Sequence, residues 1–235
     1  MVSQQMAIAN IERIDMITEE AAPRVFSFDT AREASAQAQV SSGAENELRI
    51  KNQILAQNIT EDIVKGFHIS FTDSTFSPEV FALVDGGENV GDSGGGFSRY
   101  SAPIAGEVVS RVKCRLAVYS STKDYDGDSL SYTAFLFPHA FGTPASVSLK
   151  DGEFFAPSYT VKSRPSKGES PMTVLTLPSL PVIVSSADDL PASPVAGKTV
   201  ILVAADGIAG LAPDIGAGTY AMYSASGYAA LAFPR

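Results

Sequence analysis

Residues 33 to 57 alternate small apolar and polar side chains, break briefly, and then alternate again. Ala34, Ala36, Ala38 and Val40 share one parity, and Glu33, Ser35, Gln37 and Gln39 take the other. A period of two is the mark of a strand with one face covered. After Ser42-Gly43-Ala44-Glu45-Asn46, Leu48, Ile50 and Ile54 alternate against Glu47, Arg49, Lys51 and Gln53, which predicts the return arm of a long two-stranded ribbon. Ile50, Ile54 and Leu55 also suit one face of a helix, so this second arm carries two readings. A lone hairpin is marginal in water, and a face lined by alanine buries little, so such a ribbon gains its stability by packing on a neighbouring surface. The feature points to assembly and away from catalysis.

The rest of the chain reads as mainly β. Residues 24 to 29 predict a short strand, and Gly66 opens another in which Phe67, Ile69 and Phe71 face a core while His68, Ser70 and Thr72 face away. Ser77-Pro78-Glu79 places an N-cap, a proline at the first helical position and an early acid before Val80-Phe81-Ala82-Leu83-Val84, and Gly86-Gly87 ends the turn. This is the one clear helix. Six glycines between residues 86 and 96 predict a mobile loop. Beyond residue 106, Val108, Val112, Cys114, Leu116 and Val118 define a buried strand face opposite Arg111, Lys113 and Arg115. An Asp-Gly turn at 124–128 leads to a strand over 129–137, and further strands are expected at 145–149, 153–162 and 171–177. From Leu180-Pro181 onward the chain is rich in Ala, Gly, Ser and Pro, with four short strands expected near 182–184, 199–203, 218–223 and 227–231. The division is a core domain at 1–181 and a small β appendage at 182–235, short enough to lean on the first.

Charge narrows the function. Lys and Arg number 17 against 26 Asp and Glu, a net charge of −9, so the mean field repels phosphate backbones and disfavours tight non-specific binding of nucleic acid. A hydrophobic fraction of 45% with 18% charged residues is that of a folding chain. Cys114 is the only cysteine, which excludes an internal disulfide, and its place on an apolar parity makes it a small core hydrophobe. No apolar run reaches the roughly 20 residues a membrane helix needs, and the N-terminus lacks a secretion signal, so no membrane insertion is expected.

Chemical motifs are present only in fragments. Ala192 to Thr199 nearly matches a phosphate-binding loop, but alanine replaces its first glycine, Pro194 lies inside it, and a strand follows where a helix N-terminus is needed. Asp124, Asp126 and Asp128 lack the glycine and the distal acid of an EF-hand, and a hairpin turn with acids in water accounts for them. His68 and His139 show no zinc spacing. No Gly-x-Ser-x-Gly elbow singles out a serine. Neither an enzyme nor a cofactor is expected.

The string Leu48-Arg49-Ile50-Lys51-Asn52, Ile54 to Asn58, Thr60 to Gly66 and Thr75 to Gly87 resembles the major tail proteins of bacteriophages, the subunits of the tail tube. The resemblance spans roughly residues 7 to 180. It implies a tail-tube-type β-sandwich or split barrel with one flanking helix and a long β-hairpin arm, six copies per ring, and rings stacked into a hollow tube. DNA passes through such a tube without specific binding. It further implies a virion tail location, assembly in host cytoplasm, and partners such as tape measure, terminator and distal tail proteins. Expected subunit contacts are Ala34, Ala36, Ala38, Val40, Arg49, Lys51 and Ile54. The appendage is similar to small β modules on phage structural proteins, which implies decoration of the exterior and contact with host glycans. Rival readings are a head decoration or baseplate protein, and a carbohydrate-binding module using Tyr220, Tyr223 and Tyr228.

Overall fold

The computed structural model describes residues 6–91 and 96–231. The chain is mainly β with one helix. The strands are β1 (Ala7–Thr18), β2 (Val25–Phe28), β3 (Ala31–Ser41), β4 (Glu45–Ile50), β5 (Gln53–Ile59), β6 (Ile63–Asp73), β7 (Glu88–Gly91), β8 (Phe97–Ser101), β9 (Cys114–Lys123), β10 (Ser129–Gly142), β11 (Ser158–Ser163), β12 (Thr173–Leu177), β13 (Val182–Val184), β14 (Val200–Val203), β15 (Tyr220–Ser224) and β16 (Gly227–Ala230). The helix α1 (Pro78–Asp85) lies between β6 and β7.

The main sheet runs in the order β2-β1-β9-β10-β11-β6-β3, with β12 also paired to β10, and its pairs are antiparallel. It rolls into a split barrel: the edge strand β3 comes back toward β1, but among the described residues no ladder joins the two. Ile14, Met16, Phe71, Leu116, Phe137, Tyr159 and Val161 fill the interior, and Val80, Phe81, Leu83 and Val84 of α1 close over it. Ser77 caps the helix by accepting from the Val80 N–H, and Gly86, at φ 84°, ends it in the left-handed region. At the far end of β10, Gly142 lies against Val84, where a Cβ would stand 1.9 Å from the Val84 carbonyl oxygen.

The second half of β1 (from Ile14), β9 and the middle of β10 are buried on both faces, and this sets the architecture. Their second face carries Ile17, Ala117, Tyr119, Ala134 and Leu136, which pack on Leu202 and Tyr220 of a four-stranded sheet ordered β13-β14-β15-β16. In that sheet β13 and β14 are parallel and the remaining pairs antiparallel. Its outer side is covered by Ile208 and Ile215 from the loop between β14 and β15, packed on Val184, Ile201 and Val203. The result is helix, rolled sheet and smaller sheet in layers, joined by two shared cores.

Several sequence expectations need correction. The break at 42–46 is not a turn: the chain runs on into β4, turns at Ile50 to Gln53, and returns through β5 and β6. The alanine parity of β3 therefore pairs with β6, and residues 47 to 54, expected to form the return arm, hold the turn itself. The strand expected from residue 106 begins only at Cys114, because Gly106 sits at φ 88° in a turn, and Val108 is fully exposed. The expected strand at 145–149 reduces to one bridge, Ser146 with Ser158, and that at 153–162 begins at Ser158, since Gly152 turns the chain at φ 77°. The glycine-rich stretch at 86–96 contains β7, paired with β8, while its residues 92–95 lie outside the described residues. β1 went unpredicted; Asn10 at φ 60° and the register shift between Ala9 and Arg13 interrupt its alternation.

Candidate assembly interface

The ladder of β3 with β6 continues into that of β4 with β5, so the four strands form one antiparallel ribbon that leaves the barrel. Ser41 pairs with Ile63, Ala44 accepts from the Thr60 N–H at 2.9 Å, and Glu45 pairs with Ile59. At the junction the Gly43 N–H donates to Asp62 Oδ1 at 2.7 Å and the Ala44 N–H to Thr60 Oγ1 at 2.6 Å. Glycine is required there, because a Cβ on Gly43 would lie 1.6 Å from the Thr60 carbonyl oxygen. At the tip Lys51 takes φ 55°, the left-handed backbone that closes the turn.

Every residue of β4 and β5 is exposed. Leu48 (57% exposed), Ile50, Ile54, Leu55 (58%), Ile59, Ile63 (66%), Val64 and Val40 all stand in solvent along the arm. Cross-strand pairing puts Leu48 and Ala56 on one face and Arg49 and Ile54 on the other, with Leu55 at the bulge between those pairs. On the Arg49 face, Glu47 pairs with Arg49 at 2.9 Å and accepts from Gln57 at 3.0 Å. Exposed aliphatic side chains thus stand on both faces of the ribbon, alone on the Leu48 face and beside Glu47, Arg49 and Gln57 on the other, and a neighbour on one side alone leaves some of them wet.

Of the residues expected at subunit contacts, Ala34 is half-buried at the core margin and Ala36 lines a groove at the barrel seam. Ala38 and Val40 continue the same stripe out onto the arm, exposed. Arg49, Lys51 and Ile54 cluster at the tip. The seam groove, about 350 Å³, is lined by Ile11, Ala36, Phe67, Phe135 and Met172 among others. The sequence did not signal it, because the groove is made by five strands and a loop that meet only in the rolled sheet.

The other candidates resolve as structure. Cys114 is buried, its thiol contacts the Ala140 carbonyl at 3.2 Å, and burial pushes its pKa up to about 12. Thr199 leads directly into β14, so no helix N-terminus follows the loop at 192–199. The Asp128 N–H donates to Asp124 Oδ1 at 2.8 Å within a turn, and among the described residues no group of three His, Cys, Asp or Glu is placed to share a metal. His139, at φ 47° on a β10 bulge, sits between Glu19 at 2.5 Å and Glu169 at 3.0 Å, one on each ring nitrogen. Arg111 donates to the Asp85 carbonyl at 3.0 Å, and Arg115 lies over the Tyr220 ring at 5.6 Å, so neither is left to a partner. Tyr220 is buried against Tyr119, so the proposed platform of Tyr220, Tyr223 and Tyr228 does not form. Tyr223 and Tyr228 pack edge to face, 5.1 Å between centroids.

No protein-family model matches the chain, and no curated protein sequence matches it. Among solved structures, a chain of the anti-feeding prophage (AFP) baseplate, determined by cryo-EM and 6-fold symmetrised, is similar, with a TM-score of 0.37 and 11% identity over 73% of this chain and 97% of that one.

Proposed function

We propose that the chain is a structural subunit of a phage-type virion tail, which joins copies of itself through its arm into six-membered rings stacked as a hollow tube, and which catalyses no reaction. The observation that carries this reading is the arm, which holds Leu48, Ile50, Ile54, Leu55 and Ile59 exposed. Covering an aliphatic side chain is worth about 1.5–3 kcal/mol, so five at the tip supply an association energy that the monomer leaves unused. The unpaired outer edge of β3 adds a row of backbone groups for a neighbour to satisfy. The order of residues from Leu48 to Gly87, with its resemblance to tail tube subunits, supports the ring and the tube. The smaller sheet covers one face of the rolled sheet and is the decoration on the exterior.

Light scattering and negative-stain images of the purified chain test the proposal. Rings or hollow polymers are expected from the intact chain. Monomers are expected when residues 44 to 60 are replaced by a two-residue Asn-Gly turn. An intact chain that stays monomeric at high concentration overturns the reading.

A further inference from the structure

His139 lies on a bulge of β10, where the register with β9 shifts between Phe137 and Ala140, and its backbone takes φ 47°. A bulge frees a residue from the ladder and re-aims its side chain, and left-handed backbone is unfavourable for a residue with a Cβ. Here the ring is aimed between two acids. Its Nδ1 is 2.5 Å from Glu19 in the turn between β1 and β2, and its Nε2 is 3.0 Å from Glu169 in the loop between β11 and β12.

Both carboxylates are fixed by other bonds. Glu19 Oε1 accepts from the His139 backbone N–H at 3.1 Å, and the Glu19 N–H donates to the Lys113 carbonyl at 2.8 Å. Glu169 Oε2 accepts from the Ser166 N–H at 2.8 Å, and the Glu169 N–H donates to the Ser166 carbonyl at 3.0 Å. A neutral imidazole has one N–H and one lone pair, so it donates to one carboxylate and turns its lone pair on the other. The protonated ring donates to both. The two distances therefore describe an imidazolium between two carboxylates.

The remaining charges around the ring are engaged elsewhere or stand in water. Arg164 donates its backbone N–H to the His139 carbonyl at 3.1 Å while its guanidinium lies over the Phe141 ring at 5.2 Å. Glu20 pairs with Arg24 at 3.1 Å. Lys113 and Lys167 are exposed, and Lys162 stands opposite Phe141 in the ladder. Cys114 is buried, and burial, with Glu19 second, pushes its pKa up to about 12. Glu169 is held below the usual carboxylate range, first by the Ser166 N–H and then, against some desolvation, by His139. Its part is lost only as pH falls through the acid range.

We propose that Glu19, His139 and Glu169 form a pH-sensitive clasp, in which the protonated ring ties the loop at 164–172 to the bulge of β10 and loss of one ring proton releases that loop. Glu19 keeps its bond to the His139 backbone N–H in either state, so Glu169 is the side that lets go. Met172 packs against the barrel core, so release is confined to the stretch before it. Histidine changes charge between about pH 5 and 8, which makes the clasp closed at the lower end and open at the upper. The clasp is separate from the arm and does not depend on self-assembly.

Hydrogen exchange of the full-length chain, corrected for the intrinsic pH dependence of amide exchange, tests this at about pH 5.5 and pH 8.5, on either side of the change in ring charge. Protection of amides between Ser166 and Ser170 is expected to be about two- to fivefold greater at the lower pH. His139→Asn, whose side chain tolerates left-handed backbone, is expected to give equal protection at both values. Glu169→Gln, which offers the charged ring no carboxylate, is expected to flatten the profile as well. His68→Gln, which removes the other histidine, should leave the wild-type change in place. Equal protection at the two pH values in the wild-type chain overturns the clasp. So does a pH dependence that survives in His139→Asn or Glu169→Gln at wild-type size, or one that vanishes in His68→Gln.

Discussion

The hydroxyls of Tyr119 in β9 and Tyr220 in β15 lie 2.5 Å apart, both buried, and make a polar bond between the rolled sheet and the smaller sheet. Arg13 stands over the Tyr119 ring at 5.2 Å and Arg115 over the Tyr220 ring at 5.6 Å, so the pair is bracketed by cations. Removing one hydroxyl strips a buried group of a partner. Tyr220→Phe is expected to lower unfolding stability by about 1–3 kcal/mol, and Tyr220→Ala by about 3–5 kcal/mol through the cavity it opens. Tyr119→Phe combined with Tyr220→Phe should lose less than the sum, because the two hydroxyls share one hydrogen bond that either change alone already removes. Urea titrations of the four chains check this.

Alkali should unfold the protein through its interior. Burial pushes Tyr220, Tyr159 and Cys114 up to about 12, and Tyr119 rises for the same reason with Asp15 nearby. In the unfolded chain tyrosine ionises near ~10 and cysteine near ~8.5. Between those values and the folded ones the native state holds more protons, so stability falls as pH rises. It is fully present below about pH 8.5 and is lost progressively toward pH 12. Urea midpoints measured from neutral to alkaline pH should decline through that window, and a flat profile contradicts the burial of these groups. Asp15 acts in the same sense at lower pH. Desolvation raises its pKa despite Arg13, so its contribution falls as pH climbs through the carboxylate range.

Gly142 fixes the helix on the barrel. A Cβ there meets the Val84 oxygen at 1.9 Å and its carbonyl carbon at 2.5 Å, backbone atoms that no rotamer change can move aside. Gly142→Ala is expected to destabilise by about 1–3 kcal/mol or more by pushing α1 off the core. Gly127→Ala, at φ 88° with nothing near its Cβ, should cost about 1 kcal/mol from backbone conformation alone. Thermal melts of the two rank the effects.

Local chemistry made much of this fold legible. Ser77, Pro78 and Gly86 placed the helix within a residue, because caps act through adjacent backbone groups. The apolar runs at 182–184 and 200–203 marked β13 and β14. What escaped was decided by pairing. Leu48, Ile50 and Ile54 alternate as a return strand does, yet the turn lies inside that run, and only the register of Ser41 with Ile63 shows where the partner is. Period two says that a residue faces sideways in a strand, and it is silent on which strand lies beside it. The groove was invisible for the same reason, since Ile11, Ala36, Phe135 and Met172 lie far apart in the sequence.

Gly43 offers a way to separate folding from assembly. Its N–H is held by Asp62, and its missing side chain lets the Thr60 carbonyl approach where the arm leaves the barrel. Gly43→Val places carbon within the space of that oxygen and forces β4 and β5 out of line with β3 and β6. The core residues of the barrel lie elsewhere, and the arm beyond Gly43 is exposed throughout, so little of the folding energy is at stake. The melting transition is expected to stay within about 1 kcal/mol of wild type. Sedimentation, by contrast, should show the polymer lost, because an arm re-aimed at its base carries Leu48 and Leu55 many ångströms from their contact. A Gly43→Val chain that melts normally and still polymerises shows that the arm does not direct assembly.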